Sequence, residues 1–467
     1  MGVTTLDAAQ VAAATDGVAH AFSRAALEAP FSGVSIDTRT LRPGDLFVAI
    51  VGPRFDGHDF LNEAKAKGAA AALVHKDALS TLGLPLVRVA DTTRALADLA
   101  RHRRREREAP VVAITGSAGK TTTKDLTATL LTTRGPVLRT EGNLNNQYGL
   151  PLTLLRLLPE HVAAVLEMGM SAPGELRTLT GIALPDIAVI TNVGSAHLEF
   201  FSSADEIAKA KAEILEGLGS GGRAVLNADD PRVRKIGEAF AGKVVWFGRD
   251  RRLDVSGENW RGTAFGSRFD LVIQGRKVDV ALPLPGPHSM MNFLAAAAVA
   301  HDLGVAPEAM AEAVVHFSPG QHRSHVRRLG QNVVLIDDCY NSSPEALDAA
   351  VAALTTAGAE RRVAVLGDML ELGPEAARIH GERGEAYRGK LERLFSVGPL
   401  GREIARGACR AGLPAGAVRH FDDAAAAALA VPDLIEPGDA VLVKASRGIK
   451  LEAVVEALVA RFGEGKV

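Results

Sequence analysis

The sequence predicts a protein of the α/β class with three domains and mostly parallel sheets. Its 467 residues correspond to about three domains at roughly 150 residues each. Short apolar runs typical of buried strands alternate with helical patterns along most of the chain, which indicates βαβ units. The chain is 47% apolar and 23% charged, as in globular proteins whose core is large enough for them to fold unaided.

Composition and charge exclude several classes of protein. The 53 lysines and arginines are balanced by 55 acidic residues, whereas a nucleic-acid-binding protein needs a large basic surface. Two cysteines, Cys339 and Cys409, cannot form a disulfide framework, which favours a reducing compartment. No apolar run reaches the roughly 18 residues of a membrane span, and the amino terminus does not resemble a secretory signal. We therefore expect a cytoplasmic monomer with no membrane span and no nucleic-acid partner.

The first part, residues 1–108, predicts a small α/β domain. Strands are predicted at 44–51 and 69–74, followed by a helix at 93–108. The end of this helix, from residue 101 onward, is highly basic. Such a run could bind phosphates, but a solvated helix face or a hinge between domains is the favoured interpretation.

The composition changes at Pro110, next to the predicted start of a central domain at residues 109–319. Four buried strands are predicted there, at 111–115, 162–166, 186–191 and 223–227. Residues 268–282 alternate as an antiparallel strand pair would. A break rich in proline and glycine then precedes a helix predicted at 292–303.

The third part, residues 320–467, repeats the alternation of strand and helix. Its strands are predicted at 333–336, 362–366, 393–397 and 440–443. This doubly wound pattern predicts a Rossmann-like domain.

The strongest motif is a glycine-rich loop between the strand 111–115 and a helix expected to end near Thr133. The loop consists of Thr115, Gly116, Ser117, Ala118, Gly119, Lys120, Thr121 and Thr122. Its glycines would let backbone N–H groups approach phosphate oxygens, and the helix amino terminus adds a favourable dipole. Lys120 would neutralise the β- and γ-phosphates of ATP, and the Thr121 hydroxyl would hold Mg²⁺. Because Ile114 stands where the strict P-loop pattern has its first glycine, this is a variant loop, and a chance Gly-Lys-Thr turn is the alternative.

Two further residues are candidate magnesium ligands. Glu167 follows the strand 162–166, and His197 follows the strand 186–191 after a short loop. Ligands gather at the carboxyl ends of strands in an open α/β sheet, so both side chains could converge on the glycine-rich loop. Taken alone, each residue would be interpreted as an ordinary loop residue. Imidazole is also an unusual ligand for a cation as hard as Mg²⁺.

Several motifs together resemble those of the Mur ligases. They are the glycine-rich loop, the run 142–151 (Gly-Asn-Leu-Asn-Asn-Gln-Tyr-Gly-Leu-Pro), the segments 336–344 (Ile-Asp-Asp-Cys-Tyr-Asn-Ser-Ser-Pro) and 366–373 (Leu-Gly-Asp-Met-Leu-Glu-Leu-Gly), and the early motifs at 37–39, 43–49 and 56–60. These similarities span residues 37–450, nearly the whole chain. The resemblance implies a domain for a UDP precursor, a central P-loop ATPase domain and a carboxy-terminal Rossmann-like ligase domain.

The resemblance also implies a reaction. ATP would phosphorylate the terminal carboxylate of UDP-N-acetylmuramoyl-tripeptide, and the amine of D-alanyl-D-alanine would attack the resulting acyl phosphate. The products would be the UDP-linked pentapeptide, ADP and phosphate. A carboxylate is a poor electrophile because its leaving group would be oxide. Phosphorylation supplies a better leaving group, and nearby cations offset the charge that develops.

The same matching implies roles for residues around the nucleotide. Lys211 stands where related enzymes carry a carbamylated lysine, whose anionic adduct can bind Mg²⁺; without the resemblance a solvated lysine would be expected. Asn292 would hydrogen-bond the adenine, with a helix cap as the alternative. Arg323 would reach the phosphates, and Asp338 would orient Arg323 or the ribose. Tyr340 would lie against the base, with a half-buried loop aromatic as the alternative.

Substrate contacts are implied elsewhere along the chain. The candidates for uridine and pyrophosphate are Thr38, which replaces a serine common in the family, with Arg39, Asp56, Gly57 and His58. Three asparagines could hold the peptide or the sugar, or else serve turns: Asn143, Asn145 and Asn146. Lys444 and Arg447 match a late motif and would contact the substrate.

Three other functions compete with this one. A folylpolyglutamate synthase uses the same chemistry but would not need the amino-terminal unit with its Asp-Gly-His motif. The Mur ligase that adds the third amino acid shares that unit, but its Asp-Asn-Pro-Arg signature is absent from the sequence. A nucleotide-gated binding module without turnover is disfavoured because the candidate phosphate and metal residues are all present.

Overall fold

The computed structural model describes residues 6–75, 83–194, 199–263 and 265–465. The chain divides into two compact units. The first unit comprises Met1–Ala113, Arg134–Ala188 and Glu213–Gly222, and the second comprises Ile114–Thr133, Val189–Ala212 and Arg223–Val467. Among the described helices, none combines the length and the apolar character needed to cross a membrane.

The amino-terminal part of the first unit contains a five-stranded sheet with the order β1-β7-β6-β3-β2 and a small hairpin, β4-β5. The strands are β1 (Val18–His20), β2 (Val34–Ser35), β3 (Leu46–Val48), β4 (Val51–Gly52), β5 (Phe55–Asp56), β6 (Ala71–Val74) and β7 (Leu86–Arg88). The helices are α1 (Ala8–Ala14), α2 (Arg24–Leu27), α3 (Leu61–Ala66) and α4 (Thr92–Arg105). All pairings in the five-stranded sheet are parallel except β1 with β7.

The basic end of α4 differs from the prediction of a solvated face. Arg103 is fully buried, and the Arg104 guanidinium lies 2.7 Å from the Asp186 carboxylate. Arg104 also donates hydrogen bonds to the carbonyls of Ala183 and Leu184. Carbonyls at a helix end lack partners within the helix, and a guanidinium supplies several donors. Arg104 therefore joins α4 to residues 183–186 within the first unit, whereas Arg103 pairs with Glu106 at the end of its own helix.

The remainder of the first unit carries β9 (Val137–Arg139), α6 (Gly149–Leu154), β10 (Ala163–Glu167) and α7 (Glu175–Ala183). Two strands, β8 (Val111–Thr115) and β11 (Ile187–Ile190), each begin in the first unit and end in the second. Within the first unit the strand order is β11-β8-β10-β9. The predicted buried strands therefore form within a residue or two of the expected positions.

The second unit continues with α5 (Lys120–Leu131), α8 (Ala204–Ala212), β12 (Arg223–Asn227), α9 (Pro231–Ala239), β13 (Lys243–Gly248), β14 (Val255–Thr263), β15 (Gly266–Ile273), β16 (Arg276–Leu282), α10 (Pro287–Asp302) and α11 (Pro307–Val314). Its strand order here is β16-β15-β14-β13-β12-β11-β8. The antiparallel pair predicted at 268–282 is confirmed as β15 and β16. Helix α10 begins five residues earlier than predicted, because a proline with its fixed φ suits the first turn of a helix.

The carboxy-terminal part of the second unit contains a six-stranded sheet with the order β17-β18-β22-β19-β20-β21. The strands are β17 (His325–Arg328), β18 (Val334–Asp337), β19 (Arg362–Gly367), β20 (Arg393–Val397), β21 (Val418–Phe421) and β22 (Ala440–Lys444). The helices are α12 (Pro344–Leu354), α13 (Ala376–Ala386), α14 (Gly401–Arg410), α15 (Ala424–Ala430) and α16 (Glu452–Phe462). One apolar cluster includes α15 and α16, and another includes α12, α13 and α14. Helices therefore cover both faces of the sheet, as the doubly wound pattern predicts.

Candidate active site

The loop between β8 and α5 adopts a conformation that only glycine fits at two positions. Gly119 has a φ of 81°, and a Cβ there would lie 2.3 Å from Asn292 Oδ1. A Cβ on Gly116 would lie 1.8 Å from Thr191 Oγ1. Both positions therefore require glycine, because neighbouring groups lie too close for a side chain. At Gly119 the left-handed backbone is a further reason.

The end of β11 holds this loop in place. Asn192 Oδ1 accepts a hydrogen bond from the Ala118 amide at 2.8 Å, and Asn192 Nδ2 donates to the Ala118 carbonyl at 3.0 Å. The Thr191 hydroxyl donates to the same carbonyl at 2.7 Å, and the Gly194 amide donates to Ser117 Oγ at 2.8 Å. Sequence reasoning missed Thr191 and Asn192. Their position directly after a buried strand of the predicted sheet was the available signal.

Lys120 and Lys211 place two amines close to the loop. Lys120 Nζ donates to the Gly116 carbonyl at 2.8 Å. Lys211 lies on α8 and is buried, in contrast to the solvated alternative, whereas Lys209 on the same helix is exposed. Burial, and then the neighbouring Lys120 ammonium, hold the pKa of the Lys211 amine well below its ordinary range. The environment of Lys211 therefore favours the neutral form of its amine over the charged form.

Asn292 and His288 face the same region from α10. Asn292 is buried, its Oδ1 atom lies 3.5 Å from Thr123 Oγ1, and it stands beside Gly119. The helix-cap alternative is wrong because α10 begins at Pro287, one turn before Asn292. His288, which sequence reasoning missed, has a buried Nδ1 atom with no hydrogen-bond partner among the described residues. Burial lowers the pKa of His288 to about 4, so its imidazole is neutral at pH 7.

Two arginines flank the half-buried ring of Tyr340. The Arg323 guanidinium lies 3.9 Å from the centre of the ring, and Arg447 Nη1 donates to the Tyr340 hydroxyl at 3.1 Å. A guanidinium over an aromatic face is attracted by the electron density of the ring. The structure therefore brings together three of the predicted site residues, while Arg447 remains exposed.

Asp338 holds the segment that carries Arg323. Its Oδ1 atom accepts from the Ser324 amide at 2.9 Å, and its Oδ2 atom lies 2.6 Å from Lys444 Nζ. Ser324 has a φ of 51°, a left-handed conformation that is uncommon outside glycine. Lys444 is buried and also donates to the Asn341 carbonyl at 2.9 Å. Lys444 thus holds this segment in the structure, and the substrate contact implied for it stays a prediction.

The carboxy-terminal sheet also meets the segment that follows β11. A Cβ on Gly194 would lie 2.4 Å from the carboxyl carbon of Glu345, in the first turn of α12. The Glu199 amide donates to the Glu371 carbonyl at 3.2 Å. Both contacts lie within the second unit. Residues 195–198, including the predicted metal ligand His197, lie outside the described residues.

In the first unit, the structure brings Glu167 and Asn145 together. Glu167 is buried at the end of β10, and its Oε1 atom accepts from Asn145 Nδ2 at 2.9 Å. Asn146 Oδ1 accepts from the Gly149 amide at 2.9 Å, in agreement with the turn alternative for that residue. Asn143 is exposed.

The motif formed by Asp56, Gly57 and His58 mainly makes contacts with neighbouring residues of its own domain. His58 is buried, its Nδ1 lies 2.6 Å from Asp56 Oδ1, and its Nε2 accepts from the His75 amide at 3.2 Å. A Cβ on Gly57 would lie 2.7 Å from the Ile50 backbone. This triplet therefore shapes the loop after β5.

Thr38 and Arg39, the two candidates in the preceding motif, differ in how exposed they are. Thr38 is buried, and its carbonyl accepts from Lys67 Nζ at 2.9 Å. The Arg39 side chain is exposed and lies 2.6 Å from the Asp37 carboxylate. The substrate contacts implied for Thr38 and Arg39 stay predictions.

We expect the substitution Gly119→Ala to weaken ATP binding by about tenfold or more. The left-handed φ costs a residue with a side chain about 1–2 kcal/mol, each 1.4 kcal/mol corresponds to about tenfold in affinity, and the new Cβ would displace Asn292. Titration calorimetry with ATP measures the change. Gly142→Ala is the matched control, since Gly142 also has a positive φ but no atom within 4 Å of a Cβ. Equal ATP affinity in the wild type and Gly119→Ala would contradict this account of the loop.

Three family descriptions match consecutive parts of the chain. "Mur ligase family, catalytic domain" matches residues 30–104, "Mur ligase middle domain" matches 114–300, and "Mur ligase, glutamate ligase domain" matches 322–447. Together the three matches cover most of the chain, in the order that the predicted domains have. The predicted boundaries at 108 and 319 stay predictions.

Curated relatives are similar along nearly their whole length. The UDP-N-acetylmuramoyl-tripeptide–D-alanyl-D-alanine ligase of Escherichia coli K12 is 39% identical, covering 91% of this chain and 93% of the relative. The ligase of the same name from Bacillus subtilis is 36% identical with the same coverage.

Solved structures agree with this similarity. MurF from Acinetobacter baumannii has a TM-score of 0.89 and 30% identity, covering 97% of this chain and 98% of that one. MurF ligase from Thermotoga maritima, in complex with ADP, has a TM-score of 0.82 and 32% identity, covering 92% and 97%. The three-domain α/β architecture predicted from the sequence is thereby confirmed, and the chain belongs to the Mur ligase family.

Proposed function

We propose that this chain is an ATP-dependent amide-bond ligase that joins D-alanyl-D-alanine to UDP-N-acetylmuramoyl-tripeptide in peptidoglycan precursor synthesis. The observation that carries the proposal is a tightly held glycine-rich loop with Lys120 and a buried Lys211 beside it. The chain that holds this loop is 39% identical to a ligase with that named activity. ADP bound to the similar Thermotoga maritima structure supports a nucleotide at this site.

The loop and the start of α5 supply what a triphosphate needs. Backbone N–H groups of the loop and the first turn of α5 would contact phosphate oxygens, and Lys120 would neutralise the charge of the β- and γ-phosphates. Asn292 and the neutral His288 lie on the same face of α10, so both would contact the nucleoside. Arg323, held against Tyr340, would add a second cation to the phosphates.

The residues near the loop also fit Mg²⁺, which prefers oxygen ligands. The Thr121 hydroxyl stands in the first turn of α5, and a carbamate on Lys211 would supply anionic oxygens. When bound, the ion would offset the phosphate charge that builds up during phosphoryl transfer. The roles expected for Glu167 and His197 as ligands stay predictions.

Burial of Lys211 supports the carbamate. A neutral amine is the form that adds CO₂, and burial lowers the pKa of the Lys211 amine, which favours that form. In the reaction a nitrogen–carbon bond forms and one proton leaves for solvent. The product is an anion beside the Lys120 ammonium, and the two opposite charges attract each other.

The proposed reaction has two steps. An oxygen of the terminal carboxylate attacks the γ-phosphorus of ATP, the bond to ADP breaks, and an acyl phosphate forms. The neutral amine of the acceptor dipeptide then attacks the carbonyl carbon, and the tetrahedral intermediate loses phosphate and a proton to give the amide. Lys120 and Arg323 would stabilise the negative charge in the first step.

The two rival ligases are supported less well. The family match at 30–104 covers the amino-terminal part that a folylpolyglutamate synthase would not need. Structures of such a synthase from Mycobacterium tuberculosis and of a diaminopimelate-adding ligase are 16% and 18% identical to this chain. At that identity the similarity extends to the fold alone.

We further infer a cytoplasmic location, supported by the two free cysteines, Cys339 and Cys409, which favour a reducing compartment. The expected monomeric state stays a prediction.

An acceptor comparison tests the proposed function. Purified protein is supplied with ATP and one of three matched pairs: UDP-N-acetylmuramoyl-tripeptide with D-alanyl-D-alanine, the UDP-linked dipeptide with diaminopimelate, or a folyl glutamate with L-glutamate. We expect ADP release and a new amide product with the first pair alone. Release confined to either other pair, or no release with any, would contradict the proposal.

The carbamate predicts that Lys211→Ala loses turnover by about 100-fold or more, as when one charge-stabilising group is removed. Added bicarbonate is not expected to restore it. Lys209→Ala is the matched control, because that lysine is exposed on the same helix. Carbon-13 NMR with labelled bicarbonate should show a carbamate signal in the wild type and in Lys209→Ala, and none in Lys211→Ala. Full activity in Lys211→Ala would refute the carbamate.

A further inference from the structure

Three different metal-binding side chains converge at the carboxy-terminal sheet, next in sequence to Arg323, Asp338 and Tyr340 but with no role assigned to them at the nucleotide. They are His322, Asp337 and Cys339, whose ligand atoms all lie within 4.8 Å of one another. Asp337 Oδ1 lies 3.1 Å from His322 Nδ1 and 3.3 Å from Cys339 Sγ. One carboxylate oxygen therefore faces both an imidazole nitrogen and a sulfur.

The spacing of these atoms suits one small ion. A tetrahedral ion with bonds of about 2.0–2.3 Å to nitrogen, oxygen and sulfur has ligand atoms roughly 3.3–3.7 Å apart. The two distances from Asp337 Oδ1 are close to that spacing, and the third pair of atoms, His322 Nδ1 and Cys339 Sγ, lies within 4.8 Å. Nitrogen, oxygen and thiolate donors together favour Zn²⁺ and similar ions over Mg²⁺.

The three side chains are held on well-defined backbone. Asp337 ends β18, which pairs with β17 on one side and β22 on the other. The Tyr340 amide donates to the His322 carbonyl at 3.0 Å, which ties the histidine segment to the residues that follow β18. Such prior organisation lowers the cost of gathering ligands around an ion.

Access to the cluster also permits binding. Asp337 and Cys339 are buried, while His322 is half-buried, so an ion could enter past the imidazole. Arg327 Nη2 lies 3.6 Å from Asp337 Oδ2, the other oxygen of the carboxylate. Oδ2 also lies 2.9 Å from His322 Nδ1, and Oδ1 is the carboxylate oxygen that faces both the histidine and the cysteine.

We propose that His322, Asp337 and Cys339 bind one divalent ion of the zinc class, with water as the fourth ligand. Bonds form from the ion to Nδ1, Oδ1 and Sγ. The thiol proton leaves for solvent, and the imidazole carries its remaining proton on Nε2. The thiolate and the carboxylate together balance the two positive charges. This site is separate from the proposed magnesium site and does not depend on the ligase activity.

Cobalt(II) is the probe, since it occupies zinc sites and absorbs light. On titration of the whole protein with Co²⁺ we expect one equivalent to produce a thiolate-to-metal band in the near ultraviolet and four-coordinate bands in the visible. Zn²⁺ should then bleach both. Cys409→Ser is the matched control, since Cys409 lies far along the chain on α14, and it should keep both bands.

Cys339→Ser should lose the near-ultraviolet band, and His322→Gln should bind Co²⁺ at least about tenfold more weakly, since even supporting residues of metal sites contribute tenfold or more. Thermal unfolding of each variant without metal checks that it folds, and the two substitutions test the site independently. No band in the wild type, or the same band in Cys339→Ser, would overturn the proposal and leave a hydrogen-bonded cluster alone.

Discussion

The structure of the candidate site depends on how the peptide of Ala118 is held. Its amide and its carbonyl are both bound by Asn192, and its carbonyl also accepts from Thr191. These bonds, together with those of Ser117 to Gly194 and Asn192, fix the shape of the loop within the protein. Neighbouring N–H groups can then face a ligand in a fixed arrangement, which lowers the entropy lost on binding. The left-handed Gly119 follows from the same constraint, because α5 must begin directly after this peptide.

Electrostatics around the loop explain the second feature of the site. Two lysines lie near one another, and one of them is buried, an arrangement that is costly when both are charged. Burial, and then the neighbouring Lys120, lower the pKa of Lys211, which favours its neutral form and reduces that cost. A triphosphate would supply negative charge beside Lys120.

The sequence predicted the elements that carry strong local signals. The buried strands, the glycine-rich loop and the hairpin of β15 and β16 follow from apolar patterning and from turn residues. The start of α10 was placed too late, because the prolines before it indicated a break although one of them occupies the first turn of the helix. The burial of Arg103 was also missed, because a run of arginines has the same sequence pattern whether its side chains lie in solvent or contact other parts of the protein.

The contacts that could not be predicted from the sequence are mainly those between side chains far apart along the chain. Asn192 lies more than seventy residues after Ala118, and no local pattern connects them. Lys444 and Asp338 form an ion pair that a motif comparison alone describes as two separate site residues. His288 carries no motif of its own, and only the packing of α10 shows that its imidazole is buried. Such contacts depend on the assembled sheets and not on any single segment.

In the proposed reaction, an inert carboxylate becomes reactive by taking the γ-phosphoryl group of ATP at this loop. Oxygen-isotope transfer tests this step directly. UDP-N-acetylmuramoyl-tripeptide labelled with ¹⁸O in its terminal carboxylate is converted with D-alanyl-D-alanine, and the phosphate is examined by mass spectrometry. We expect one labelled oxygen in inorganic phosphate for each amide bond formed. Unlabelled phosphate, or label in a nucleotide, would contradict activation of the carboxylate by ATP.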